Sequence, residues 1–225
     1  MKHFAFALLA AFTGITGAAQ GAEAPTPVKR DVAVNSAYKM RSSLFDQLTE
    51  HRKVVMLGDS LTARGEWAEL TESVAVANRG IGGDTTAGII SRLTPIKAMK
   101  PNAVFIMAGI NDLKHGSKPD SIVENYKKII EELHSSGASI YVQSTLYTNR
   151  KNMLKGNESI SEINESIELY CTKTKNCDYI DLNNSLSKSG RLKKEMTLDG
   201  IHLNGEGYMA WTKAIKPYLR QVISK

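Results

Sequence analysis

The sequence is poor in cysteine: its 225 residues contain two, Cys171 and Cys177, with no histidine near either. A structural zinc site needs about four nitrogen or sulfur ligands, so no metal centre is expected there. Two readings of the pair stay open. In an oxidising compartment it forms a disulfide whose small loop contributes about 2 kcal/mol on a chain-entropy account; otherwise it is two thiols in a core. A membrane-spanning apolar run is also missing. The run Phe4 to Phe12 is followed by Thr13, Gly14, Thr16 and Gly17, well short of the roughly 20 apolar residues that cross a bilayer. With Lys2 and His3 before it and small residues after it, this stretch has the layout of a secretory signal peptide over residues 1–21 rather than of an anchor. Cleavage is expected after Gly21 or Ala24, the second disfavoured by Pro25. No cysteine stands near either position, which argues against a lipid anchor and for a product free in a periplasm or outside the cell.

A basic stripe is the third absence. Lys and Arg number 29 against 23 Asp and Glu, a formal net charge of +6, yet they are scattered, with only short groups such as Lys193 and Lys194. A solvated surface is expected, not a nucleic-acid face. The chain has no Gly-x-Gly-x-x-Gly and no Gly-Lys-Ser/Thr ending to its glycine-rich turn, so a nucleotide cofactor is not expected either. Internal repeats and low-complexity segments are absent as well.

What is present is the composition of an ordinary soluble domain, 42% hydrophobic and 23% charged, in a length that suits one core better than two. Residues 22–51 read as a linker carrying two prolines and a helix from Asn35 to Glu50, and residues 52–225 as the main domain. Strands are expected at Arg52 to Leu57, Ser73 to Ala77, Ala103 to Met107, Ser139 to Gln143 and Asp178 to Leu182. Helical periodicity covers Thr86 to Met99, Ser121 to His134, Glu158 to Tyr170 and Glu206 to Leu219. This alternation predicts a flavodoxin-like three-layer α/β/α sandwich around a mainly parallel five-stranded sheet, with functional groups gathered beyond the carboxyl ends of the strands.

Four short blocks carry the chemistry. Gly58-Asp59-Ser60-Leu61 follows the first strand and sets a hydroxyl at a helix start, beside unpaired N–H groups that stabilise developing negative charge. Taken alone, Ser60 is better read as a helix cap. Asn78 to Thr86 follows the second strand; its glycines let backbone approach a ligand, and Asp84 or Thr85 suits the cap of the next helix. Gly109-Ile110-Asn111-Asp112 follows the third strand and offers a carboxamide donor, or a simple Asn-Asp turn. Asp199-Gly200-Ile201-His202-Leu203 places a carboxylate three residues before an imidazole, a spacing that lets the acid orient the ring. His3, His51, His115 and His134 lack such company.

As an ordered set, the blocks resemble the SGNH (GDSL) hydrolases over about Lys53 to Lys216. The resemblance implies an ester hydrolase that needs no metal or organic cofactor. It implies Ser60 as nucleophile, His202 as base and Asp199 as the acid behind it, with Ser60, Gly83 and Asn111 as oxyanion donors and Gly82 as the alternative to Gly83. The wording Gly-Ile-Gly-Gly-Asp-Thr-Thr is similar to the platelet-activating-factor acetylhydrolase branch, which implies short acyl groups such as acetyl. A small-molecule, glycan or lipid ester is then the expected partner. A lipase, lysophospholipase or thioesterase on longer chains, and a noncatalytic glycan-binding protein on the same scaffold, are the alternatives.

Overall fold

Runs of apolar residues without polar alternation form strands buried on both faces, and β1 (Val54–Gly58) and β3 (Ala103–Met107) are buried at every position. A computed structural model describes Met1 and residues 36–223, so the expected signal peptide and linker lie outside the described residues. With β2 (Val76–Gly80), β4 (Ser139–Gln143) and β5 (Cys177–Ile180) the strands form one sheet in the order β2-β1-β3-β4-β5, parallel throughout. Helices flank it in chain order: α1 (Ser36–Gln47), α2 (Ser60–Ala63), α3 (Trp67–Leu70), α4 (Thr86–Ser91), α5 (Leu93–Ala98), α6 (Ile110–Lys114), α7 (Pro119–His134), α8 (Gly156–Thr172), α9 (Asn183–Leu186) and α10 (Gly205–Ile223). The three-layer α/β/α architecture expected from the sequence is the one observed.

Successive strand residues point to opposite faces, and the two cores follow that alternation. Val55, Leu57, Val104, Ile106, Ile140 and Val142 pack with residues of α4, α5, α7 and α8. Val54, Met56, Phe105, Met107 and Tyr141 pack with α10 and with Trp67, whose ring meets Trp211 edge-on at 4.8 Å. Helix α1 lies over the turn after β2: Tyr38 and Phe45 cluster with Ile81, and the Tyr38 hydroxyl donates to Gly88 O at 3.0 Å. Cys171 and Cys177 are joined (S–S 2.13 Å), which ties the last turn of α8 to the start of β5. Among the described residues, no helix is long and apolar enough to cross a membrane.

Three local expectations need correction. The second strand runs Val76–Gly80 rather than Ser73 to Ala77. Ser73 makes a turn instead, its N–H donating to Ala68 O (2.9 Å) and its hydroxyl accepting from Ala75 N (3.2 Å). As an edge strand, β2 accommodates Asn78, which donates to Ala63 O and Gly65 O, and Arg79, which donates to Leu48 O and lies over the Phe45 ring at 4.8 Å. The expected helix Thr86 to Met99 is two helices broken at Arg92. Pro95 explains the break, because it has no N–H for the Ser91 carbonyl and its ring crowds that oxygen. A small antiparallel hairpin, β6 (Ser187–Lys188) with β7 (Arg191–Leu192), has no counterpart among the expected elements.

Candidate active site

β1 carries its chain to the carboxyl edge of the sheet and hands it to α2 through Gly58. A Cβ on Gly58 would collide with Met107 O and the Thr62 hydroxyl, so the strands and helix close only around glycine. The cap of α2 is Asp59, whose Oδ1 accepts from Leu61 N at 2.9 Å. The capping task therefore falls to Asp59 and leaves the Ser60 hydroxyl to another partner. That partner is His202, with Oγ to Nε2 at 3.0 Å.

His202 is held from behind. Its Nδ1 lies 2.7 Å from Asp199 Oδ2, while Asp199 Oδ1 accepts from the backbone N–H groups of Ile201 (2.9 Å) and His202 (2.7 Å). Partial burial pushes the Asp199 carboxyl up, but the hydrogen bonds from the His202 ring and from those two N–H groups outweigh it and hold the carboxyl well below the usual carboxylate range. Arg150 adds a 3.3 Å contact from Nη2 to Asp199 Oδ2. Thr197 locks the loop by donating its hydroxyl to His202 O (2.6 Å) and accepting from Gly200 N (3.0 Å).

The second block forms a tight turn in which Asp84 N donates to Ile81 O at 3.2 Å. Gly83 has φ +77°, a left-handed value that favours glycine at this turn position, and the space in front of both Gly82 and Gly83 is open. Of the two candidate caps for α4, Thr85 has the role, accepting from Gly88 N at 3.1 Å. Asp84 turns inward and pairs with Arg92 Nε at 2.8 Å, both side chains almost fully buried. Arg92 also donates to Arg79 O (2.9 Å) and Gly58 O (3.1 Å), so one guanidinium laces β1, β2 and the turn together.

From α6, the Asn111 amide donates to Asp84 O (2.9 Å) and makes a longer contact with Asp59 Oδ2 (3.3 Å), which brings the third block against the first two. Its neighbour Asp112 faces the other way and accepts from Thr86 N (3.1 Å) and Thr86 Oγ1 (2.5 Å). His115 is exposed just beyond α6 and makes no side-chain hydrogen bond to the Ser60–His202–Asp199 chain. All four blocks thus meet at one edge of the sheet. Residues 56–210 match the GDSL-like Lipase/Acylhydrolase family. The chain belongs to that family.

The chain is also similar to individual proteins and structures. The chain is 24% identical over 182 residues to the platelet-activating factor acetylhydrolase IB subunit alpha2 of Homo sapiens, covering 76% of this chain and 78% of the relative. It is 28% identical over 165 residues to an N-acylneuraminate cytidylyltransferase of Streptococcus agalactiae, but the match covers 73% of this chain and only 37% of that longer protein. Among solved structures, it is similar to a GDSL-like lipase from Bacteroides thetaiotaomicron (TM-score 0.71, 20% identity, 83% of this chain and 98% of that one). A lipase/acylhydrolase from Enterococcus faecalis matches with TM-score 0.64 and 25% identity over 76% of this chain and 96% of that one.

Behind the site of this GDSL-family chain lie three buried acids, Asp59, Asp84 and Asp112. Burial pushes the Asp59 carboxyl up to about 7, opposed by the Leu61 N–H and assisted by the charges of Asp84 and Asp112. Burial likewise pushes Asp84 up to about 6 against the pull of Arg92, and raises Asp112 against its hydrogen bonds from Thr86. Sequence reasoning missed Arg92 and Asp112 as supports of the acylhydrolase site. Arg92 did leave a signal: it falls three residues after Ile89 and four before Ile96, a cation on the apolar stripe of its helical pattern. Asp112 left none, since an acid after Asn111 looks like an ordinary turn residue.

Proposed function

We propose that this acylhydrolase cleaves short-chain carboxylic esters through an acyl-enzyme on Ser60. His202 Nε2 takes the hydroxyl proton as Oγ attacks the ester carbonyl, and Asp199 stabilises the imidazolium that forms. The alcohol leaves with the proton returned by His202, and a water molecule activated in the same way releases the acid and restores Ser60. The backbone N–H groups of Ser60 and Gly83 and the Asn111 amide hold the tetrahedral oxyanion. Asn111 suits this role because its 2.9 Å bond to Asp84 O anchors the amide while the looser 3.3 Å contact to Asp59 leaves one N–H free to redirect.

The observation that carries the reading is the unbroken chain from Ser60 Oγ to His202 (3.0 Å) to Asp199 (2.7 Å). With Nδ1 against a carboxylate, the proton belongs on Nδ1 and Nε2 is the acceptor, an assignment made from the hydrogen-bond network. The preference for short acyl groups draws on the Gly-Ile-Gly-Gly-Asp-Thr-Thr block and on the name of the acetylhydrolase relatives. An exported, periplasmic or extracellular site of action draws on the layout of residues 1–21.

A fluorophosphonate probe and a series of 4-nitrophenyl esters test the proposal. Wild-type protein is expected to label and to hydrolyse the acetyl ester faster than the octanoyl ester, whereas folded Ser60→Ala does neither. Turnover at the wild-type rate by Ser60→Ala would remove Ser60 from the mechanism, and a profile peaking at octanoyl would replace the short-chain reading with a lipase or thioesterase one.

A further inference from the structure

Directly beside Asp199 lies a cavity of about 490 Å³, lined among others by Lys151, Arg191, Lys194, Leu154 and Leu198. Three segments build it: the loop after β4, the strand β7 with the turn that follows it, and the loop leading to His202. The segments are pinned to one another. Asn149 donates its backbone N–H to Gly200 O (2.7 Å) and its side-chain amide to Leu192 O (3.0 Å), and Asn204 donates to Glu195 O (2.8 Å).

Its charges are unbalanced. Lys151, Arg191 and Lys194 take part in no ion pair among the described residues. The one carboxylate in the lining, Asp199, is already engaged by His202 and Arg150. Lys151, Arg191 and Lys194 outnumber the single carboxylate of the lining, so the concavity carries a net positive charge. Such a site concentrates field and attracts a ligand of opposite sign. Leu154 and the exposed Leu198 add apolar surface beside the cations.

We infer that this cavity binds the alcohol portion of the substrate through an anionic group, so that the preferred ester is one whose alcohol carries a carboxylate, sulfate or phosphate. The inference rests on the Ser60 esterase reading and specifies its substrate class. The two sites adjoin at one residue: Asp199 lines the cavity and also holds the ring that contacts Ser60. Leu154 and Leu198 offer apolar surface to a ring or chain that carries the anion.

Matched aryl acetates provide the test: 4-acetoxybenzoate, which is anionic, and its neutral methyl ester, with 4-acetoxyphenyl sulfate and phosphate as further arms to rank the anions. The wild-type protein is expected to favour the anionic esters in kcat/KM. Each exposed charge pair is worth about twofold to fivefold, so the combined substitution Lys151→Gln, Arg191→Gln, Lys194→Gln lowers the anionic-to-neutral ratio by about tenfold or more. Added salt lowers the wild-type ratio in the same direction without any substitution, because it screens exposed charges. A ratio that responds neither to salt nor to the triple substitution overturns the inference while leaving the esterase reading intact. Failure of the wild-type protein to cleave any of these esters removes the Ser60 reading, and the inference with it.

Discussion

Replacing Asn111 by alanine separates the oxyanion proposal from a merely structural one. The amide contributes two ground-state contacts, to Asp84 O at 2.9 Å and to Asp59 Oδ2 at 3.3 Å. Asp84 and Asp59 are buried, so the acceptors left behind lose a partner and the stability cost is about 1–3 kcal/mol. In a protein of this size each kcal/mol lowers Tm by about 2–4 °C. The loss in the transition state is larger: one oxyanion donor is worth about 100- to 1,000-fold in kcat, or roughly 3–4 kcal/mol. Steady-state kinetics on 4-nitrophenyl acetate, run beside a thermal melt, should show kcat down at least about 100-fold with KM nearly unchanged, the pattern of an interaction made only in the transition state. Asn111→Asp keeps the size, removes the donor and adds a carboxylate beside Asp59 and Asp84, so it should fall at least as far. An Asn111→Ala protein that keeps more than a tenth of wild-type kcat would show that the amide does not hold the oxyanion.

Arg92→Met leaves the buried Asp84 carboxylate without its partner, which should cost about 3–5 kcal/mol in denaturant unfolding; a loss below about 1 kcal/mol would contradict the buried pair. Gly80→Ala places a Cβ against Ala63 N and Cα, and overpacking of this kind costs about 1–3 kcal/mol. An unchanged melting temperature would deny the close approach of β2 to α2. Asp59 and Asp84 are pushed up to about 7 and about 6, above the roughly 4 of an unfolded aspartate. Between those values the folded state binds more protons than the unfolded one, so their contribution makes stability fall as pH rises from about 4 to about 7. Asp59→Asn should flatten that slope in denaturant unfolding followed across the range, and an identical slope would remove Asp59 as a source. Asp199 works in the opposite sense: its lowered pKa contributes stability above about pH 4 that is lost in stronger acid.

Much of this was legible because buried parallel strands advertise themselves. Val54 to Leu57, Ala103 to Met107 and Ser139 to Gln143 are uninterrupted or nearly so, and their observed bounds fall within about a residue or two of the apolar runs, the usual slack at an element end. β2 was placed three residues too early because an edge strand tolerates polar residues: Asn78 and Arg79 find backbone acceptors on neighbouring segments, so the strand continues where its hydropathy stops. Ser60, Gly83, Asn111, Asp199 and His202 were named as candidates through the family resemblance that the ordered blocks carry. The layer beneath them was not, because it depends on which way a side chain turns. Asp84 beside Thr85 offered two equivalent caps in sequence, and only the position of Arg92 decides that Thr85 caps while Asp84 goes inward. The cationic cavity was equally hidden: Lys151 and Arg191 are far apart in the chain and meet only because the hairpin β6–β7 folds back beside the loop after β4.

Ser60 and His202 touch across 142 residues of chain, and that separation sets a timetable for synthesis. The segment bearing the hydroxyl leaves the ribosome well before the imidazole and its acid. They are then drawn in by α10, whose Tyr208 hydroxyl donates to Leu61 O at 2.7 Å and whose Trp211 meets Trp67. A growing chain therefore carries Ser60 without His202 until that later segment has been made.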